Sequence, residues 1–184
     1  MSTEVWMDTG ALPDQDPVSQ ITIVPRGRAG GMTISLPEED RSYLSKRYME
    51  DQITALLGGR VAEKLCLGDI STGASNDIQR ASAIARKMVA SYGMSERLGT
   101  VAFDSGHDEV FIGRTMTQGR SYSESVAAQI DEEVKALVGR AYQRCEAILT
   151  ERREQLDAVA AYLLDHETMG RDAFLAVVEP GAAD

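Results

Sequence analysis

The chain has 184 residues, of which 43% are apolar and 26% are charged, so it is too apolar for an intrinsically disordered protein and long enough for one compact domain. Its 19 Lys and Arg residues against 29 Asp and Glu residues give a net charge of −10, which argues against nucleic-acid binding because phosphates would be repelled. No apolar run approaches the roughly 20 residues that cross a bilayer, and the first residues do not resemble a signal peptide. We therefore expect this chain to be soluble and to make no direct membrane contact.

Hydropathy patterning divides the chain into three parts. Residues 1–17 carry Gly10, Pro13 and Pro17 without clear periodicity, which predicts an irregular N-terminal segment. Residues 18–178 form the expected domain, and residues 179–184 form a C-terminal tail. Within the domain, apolar and polar residues alternate from Val18 to Leu36 around a glycine-rich turn, which is typical of a β-hairpin.

After residue 43 the apolar residues recur with the period of a helix. One stripe runs over residues 48–65, a second over residues 78–92, a third from Tyr122 to Leu149, and a fourth over residues 156–164. The last two predict a pair of antiparallel helices. Residues 94–120 predict an irregular connection with a short strand near Val101 to Phe103. The expected fold is therefore mainly α, a bundle-like helical domain with a small hairpin or sheet near its N-terminus.

Asp77 is the residue that most suggests chemistry. If a helix begins near Ser75 or Asn76, Asp77 falls in its first turn, beside the apolar face. Its carboxylate then either complements the helix dipole and the free N–H groups of that turn, or acts as a metal ligand on a rigid helix start. The second interpretation requires imidazoles from elsewhere in the chain.

The two histidines, His107 and His166, do not form a metal motif, because neither has another histidine at helical ligand spacing. The segment from His166 to Gly170 begins like His-Glu-x-x-His but ends in glycine, which favours a histidine at a helix C-terminus. Cys66 and Cys145 have no neighbouring histidine and do not suggest a nucleophile. We expect both cysteines to be packing residues inside helices, without a disulfide, in a reducing compartment.

The glycine-rich segment 27–31 predicts a hairpin turn, because it lacks the ending of a phosphate-binding loop and opens no helix. Arg26 and Arg28 either contact a partner there or keep the turn soluble. The strand that follows either accepts an extended peptide at an open sheet edge or is covered by its own chain or a neighbouring subunit. The residues of this candidate peptide-binding strand are Gly31, Met32, Thr33, Ile34, Ser35 and Leu36.

Several segments, in order and from about residue 11 to about residue 178, resemble the peptidase domain of the FtsH family, the membrane-anchored ATP-dependent zinc metalloproteases of peptidase family M41. The segments that carry the resemblance are Asp16-Pro-Val18, Ile21-Thr-Ile-Val-Pro-Arg-Gly-Arg28, Leu36-Pro-Glu-Glu-Asp40, Leu56-Leu-Gly-Gly-Arg-Val-Ala-Glu63, Ser71-Thr-Gly-Ala-Ser-Asn-Asp77, Met88-Val-Ala-Ser-Tyr-Gly-Met-Ser-Glu-Arg-Leu-Gly99 and Ile130-Asp-Glu-Glu-Val134.

The resemblance implies a zinc metalloendopeptidase that degrades unfolded or membrane proteins. In the family, two histidines of a His-Glu-x-x-His helix and the aspartate of a Thr-Gly-Ala-x-x-Asp segment hold zinc, and that aspartate corresponds to Asp77. The glutamate between the histidines polarises the zinc-bound water. The resemblance also implies a hexameric ring on the cytoplasmic side of a membrane, ATP used through an AAA+ domain that this chain lacks, and unfolded polypeptide aligned along residues 31–36.

The chain departs from the family at the zinc motif. Counting back from Leu12 along the family spacing places His-Glu-x-x-His near residues 1–5, where the chain carries Met1-Ser-Thr-Glu-Val5. Residues 1–17 are then a remnant or a replacement of the zinc-motif helix, and Glu4 does not replace the general base. We therefore expect no catalytic residue, with zinc absent or weakly bound at Asp77. The alternative expectation is a non-catalytic module for ring assembly or for binding extended polypeptide.

Overall fold

The computed structural model describes residues 12–13, 16–25, 31–35, 43–103 and 122–178. The described part is mainly helical with one small sheet, which confirms the predicted fold class. In chain order its elements are β1 (Val18–Thr22), β2 (Met32–Ser35), α1 (Lys46–Leu67), α2 (Ser75–Ala90), α3 (Glu124–Glu151), α4 (Arg153–His166), β3 (Thr168–Gly170) and α5 (Arg171–Val178).

The sheet has the strand order β2-β1-β3, and both pairings are antiparallel. The predicted hairpin is confirmed as β1 and β2, with Ile21 opposite Thr33, whereas Leu36 lies outside the described residues. β3 was missed, because three residues are too few to show alternation. Beyond the end of the β1–β3 pairing, the Ile23 N–H donates to the Glu167 carbonyl at 3.0 Å, which ties the strand to the end of α4.

The first core lies where α1 packs against α2 and α3. Ser45 caps the start of α1 by accepting a hydrogen bond from the Tyr48 N–H at 3.1 Å, and Gly68 ends the helix in the left-handed conformation at φ +67°. The apolar stripes predicted for these helices face one another there. The buried residues of this core are Met49, Ile53, Leu56, Leu57, Ala81, Ala85, Met88, Leu137 and Ala141.

The second core joins the sheet to α4, α5 and the distal part of α3. The short helix α5 was missed, because its eight residues follow β3 without a break. Its Phe174 is fully buried and closes the core beneath β1 and β3. The buried residues of this core are Val18, Ile21, Val61, Cys145, Leu149, Leu156, Val159, Leu163, Met169, Phe174 and Val178.

Two local expectations need correction, and one contact of the N-terminal segment was not expected. Residues 101–103 do not form a strand; instead the Phe103 N–H donates to the Ala90 carbonyl at 2.7 Å, just beyond α2. Cys66 lies in α1 but is exposed, so only Cys145 is a packing residue. Leu12 is buried against Ala55, because the segment before β1 lies on the helical core there.

Among the described helices, none combines the length and apolarity that a bilayer span requires.

Candidate functional site

Asp77 lies in the first turn of α2, as its position in the sequence predicted. The helix starts without a side-chain cap at Ala74, and Asp77 places a negative charge in its first turn, which the helix dipole favours. Its side chain is 34% exposed, and one carboxylate oxygen lies 3.6 Å from Nη1 of Arg80, one turn further along the helix. Asp77 is therefore displayed at the surface of a helix start, where a further group could still approach it.

The loop before α2 is held by Glu63 of α1. One Glu63 oxygen accepts a hydrogen bond from the Ser71 hydroxyl at 2.5 Å, and the other accepts one from the Ser71 N–H at 3.1 Å. These two bonds, the hydroxyl bond above all, hold the pKa of the Glu63 carboxyl below its ordinary value. The contact joins the last third of α1 to the segment that positions Asp77.

Gly73 completes this arrangement. Its N–H donates to the Ser71 hydroxyl oxygen at 3.1 Å, so Ser71 links Glu63 to Gly73, two residues before α2 begins. A Cβ at position 73 would lie 3.2 Å from the Ser71 hydroxyl oxygen and 3.5 Å from a Glu63 oxygen. An alanine at position 73 would therefore require the Ser71 hydroxyl to shift by a few tenths of an ångström, whereas the Glu63 oxygen would be at ordinary van der Waals distance.

Sequence reasoning did not assign Glu63 or Ser71 to the site. Both belong to segments that carry the family resemblance, but they are eight residues apart and no periodicity relates them. The only indication in the sequence that Glu63 belongs to the site was its carboxylate, one loop before the candidate ligand Asp77.

The described residues do not fit a zinc ion. They contain no group of three His, Cys, Asp or Glu side chains placed to hold a metal. His166 ends α4, where its ring stacks on Tyr162 at 4.2 Å between ring centroids and Nδ1 lies 3.0 Å from the Tyr162 carbonyl oxygen. This is the predicted helix C-terminal position. His107, Arg26, Arg28 and the segment 1–5 lie outside the described residues.

The candidate peptide-binding strand forms β2, the terminal strand of the sheet on the side away from β3. Gly31 precedes it at a close approach of two backbones, because a Cβ at this position would lie 2.8 Å from the Thr22 carbonyl oxygen. Residues 32–35 range from half-buried to exposed. The hairpin thus places the predicted strand at a sheet edge, whereas residue 36 is outside the described part.

Comparisons with known proteins match most of the chain to one family. The family model of peptidase family M41 matches residues 9–177. The chain is 55% identical over 163 residues to "ATP-dependent zinc metalloprotease FtsH 2" of Alkaliphilus metalliredigens, an alignment that covers 89% of this chain and 24% of that protein. It is 48% identical over 162 residues to "ATP-dependent zinc metalloprotease FtsH" of Thermotoga maritima, covering 88% of this chain and 27% of that protein. The chain thus spans about a quarter of the length of the curated relatives it matches.

Proposed function

The chain belongs to peptidase family M41, and from that premise we propose that it is the peptidase domain of an FtsH-like, ATP-dependent zinc metalloendopeptidase, lacking the zinc motif that catalysis requires. The relatives are named zinc metalloproteases. The resemblance of Thr72-Gly-Ala-Ser-Asn-Asp77 to the family's Thr-Gly-Ala-x-x-Asp segment implies that Asp77 is the aspartate ligand, and Asp77 lies in the first turn of α2. Such an enzyme would degrade unfolded or membrane proteins, with ATP hydrolysed by a domain outside this chain.

The proposal that the zinc site is incomplete rests on where the two histidines lie. The chain has two, His107 and His166, and His166 is engaged with Tyr162 at the end of α4. Residues 1–5, where family spacing places two histidines and a glutamate, contain neither histidine. A single carboxylate such as Asp77 does not retain zinc, and without the metal no water is activated for attack on a peptide bond.

Metal content measured by elemental mass spectrometry tests this proposal. We expect near-zero zinc for the purified chain and no difference for Asp77→Ala. About one zinc per chain, lost in Asp77→Ala, would show that other ligands complete the site. Zinc-dependent, chelator-sensitive cleavage of casein by the pure chain would contradict the proposed inactivity.

Restoring the motif tests its proposed position. We expect a chain carrying M1H, S2E and V5H, behind an added initiator methionine and alanine, to bind about one zinc, and the same chain with Asp77→Asn to bind much less. If the restored chain binds none, residues 1–5 do not lie opposite Asp77.

The second candidate function is a non-catalytic module that binds extended polypeptide. The position of β2 at the sheet edge favours it, because an edge strand pairs with an added strand through its backbone. Amide shifts of residues 31–35 on titration with an extended apolar peptide would support this function, and unchanged shifts there would count against it.

A further inference from the structure

A compact loop, residues 91–102, follows α2. The two ends of this loop meet, because the Phe103 N–H donates to the Ala90 carbonyl at 2.7 Å. Gly93 turns the chain at φ +60°, and a Cβ there would lie 3.0 Å from the Thr100 Cα, so the two halves of the loop lie against each other. Since its ends are already joined, the loop can leave the helices while its two ends stay together.

Little apolar burial holds this loop in place. Of residues 91–102, all of which the structure describes, only Ser95 is buried, at 7% exposure. Met94 and Leu98 are half-buried against the helical cores, whereas Tyr92 and Val101 are exposed. A segment that buries so little apolar surface opens at a lower free-energy cost than the helices that it covers.

The buried anchor of the loop is a polar contact with α3. The Ser95 hydroxyl donates to one Glu133 oxygen at 2.8 Å and accepts from the Leu98 N–H at 3.2 Å. The Ser95 carbonyl accepts from the Gly99 N–H at 3.0 Å. Ser95 therefore closes the turn of residues 95–99 and also ties that turn to α3. A hydrogen bond that a carboxylate accepts is stronger than one between neutral groups.

Two ion pairs reach the same loop, but both are exposed to solvent. Nη1 of Arg97 lies 2.7 Å from a Glu132 oxygen of α3, and Nζ of Lys46 lies 4.0 Å from a Glu96 oxygen. Exposed pairs of this kind contribute little to stability. The adjacent carboxylates of α3 thus contact the loop in different ways, since Glu132 pairs at the surface and Glu133 accepts from the buried hydroxyl.

We propose that residues 91–102 form a lid that opens locally while α2 and α3 stay folded, with the Ser95–Glu133 hydrogen bond as the latch that holds it closed. Opening uncovers apolar side chains of the helices, because Leu98 packs against the buried cluster that contains Ile130. Opening also removes one wall of a groove of about 470 Å³ between α1, α2 and α3, the wall formed by Met94, Ser95, Glu96 and Arg97. The lid does not depend on the proposed peptidase function.

Amide hydrogen exchange followed by NMR on the intact chain tests whether the lid opens by itself. The Gly99 N–H reports on the lid, because its acceptor is the Ser95 carbonyl. We expect its protection to be about tenfold or more below that of the most protected amides of α3, and to change little in dilute urea, because local opening exposes little surface. Equal protection at both places, falling together as urea is added, would overturn the proposal.

A variant of the second core distinguishes local from global opening. Val159 is fully buried there, so Val159→Ala lowers the stability of the whole chain. We expect it to speed exchange of the most protected α3 amides about tenfold or more and that of Gly99 less than about twofold, because the contacts of Val159 remain when only the lid opens. Equal acceleration at both places would overturn the proposal.

The adjacent carboxylates of α3 test the latch. We expect Glu133→Ala to speed exchange at Gly99 about tenfold, whereas Glu132→Ala, which removes the exposed pair with Arg97, should speed it less than about twofold. In a chain that already carries Ser95→Ala, Glu133→Ala should add less than about twofold. Equal effects of the two glutamate variants, or a full further acceleration in the Ser95→Ala chain, would overturn the assignment of this hydrogen bond as the latch.

Discussion

The two cysteines differ in environment although both lie in helices. Cys145 is 3% exposed, and burial raises the pKa of its thiol from 9.0 to about 12. Cys66 is exposed near the end of α1. Since the thiolate is the nucleophile, the two thiols should react at very different rates in the folded chain.

We predict that Ellman's reagent at pH 8 labels one thiol per folded chain rapidly and the second only after unfolding. Cys66→Ser should remove the rapid phase, and two rapid thiols in the native chain would contradict the prediction. The raised pKa of Cys145 also determines in which direction stability changes with pH. The folded state retains the Cys145 proton between about pH 9 and pH 12, so the stability that this thiol contributes is lost as the pH rises through that window.

Replacing glycine by alanine is expected to have opposite effects on stability at Gly31 and at Gly139. A Cβ at Gly31 would lie 2.8 Å from the Thr22 carbonyl oxygen, so Gly31→Ala must shift a backbone and should destabilise the chain by about 1–3 kcal/mol. Gly139 lies inside α3, and a Cβ added there would meet nothing within 4 Å, so Gly139→Ala should stabilise the chain by about 0.5–1 kcal/mol. Urea denaturation measures the change in unfolding free energy of each variant, and two changes of the same sign would contradict the prediction.

At the scale of helices, an ion pair joins α1 to α3, and its two side chains differ in their exposure to solvent. The Arg144 guanidinium of α3 donates to the Asp51 carboxylate of α1. The Asp51 side chain is 4% exposed and that of Arg144 is 43% exposed. Losing the arginine removes a cation that pairs with a buried carboxylate, whereas losing the aspartate leaves a cation that can still reach water.

We predict that Arg144→Met costs about 3 kcal/mol of unfolding free energy and Asp51→Ala only about 1 kcal/mol. The double variant should cost less than the sum, because the buried carboxylate that Arg144 pairs with is then absent. A larger loss for Asp51→Ala, or simple additivity in urea denaturation, would show that this contact is not what the arginine contributes.

The contact of Glu63 in α1 with Ser71 in the loop before α2 makes the stability of the chain depend on pH in the acid range. The Glu63 pKa is held below its ordinary value of 4.5 by the Ser71 hydroxyl and then by the Ser71 N–H. Its contribution is therefore present above about pH 4.5 and lost as the pH falls through the folded-state pKa.

We predict that Glu63→Gln lowers the urea midpoint at pH 7 and that the difference from the parent chain shrinks as the pH falls below about 4.5. Glu151→Gln, at an exposed position at the end of α3, should show no such convergence. A difference that stays constant with pH would mean that the Glu63 charge does not hold the loop.

At the scale of the whole molecule, the proposed peptidase role implies assembly. The family resemblance implies a ring of identical subunits, and the apolar side chains of Leu67, Ile70 and Leu164 are strongly exposed on the single chain. We predict concentration-dependent self-association, measured by light scattering. A monomer at every accessible concentration would contradict it for the isolated chain.

Much of this fold was predictable from local pattern. The helical periods located α1, α2, α3 and α4, and alternation located the hairpin, because each element repeats its apolar residues at its own spacing. The same periods predict Asp77 in the first turn of a helix. β3 and α5 were not found, since elements of three and eight residues show too little of any period.

What periodicity could not decide are contacts between residues far apart in the chain. The pairing of β3 with β1, the hydrogen bonds from Ser71 to Glu63 and the burial of Cys145 but not Cys66 depend on how elements are packed against one another. The family follows from the order of residues along the chain, because motifs are local, and the resemblance implies which aspartate corresponds to the family's metal ligand. The hydrogen-bonded loop before Asp77 forms only once that loop packs against α1, because Ser71 and its partner Glu63 come from different elements.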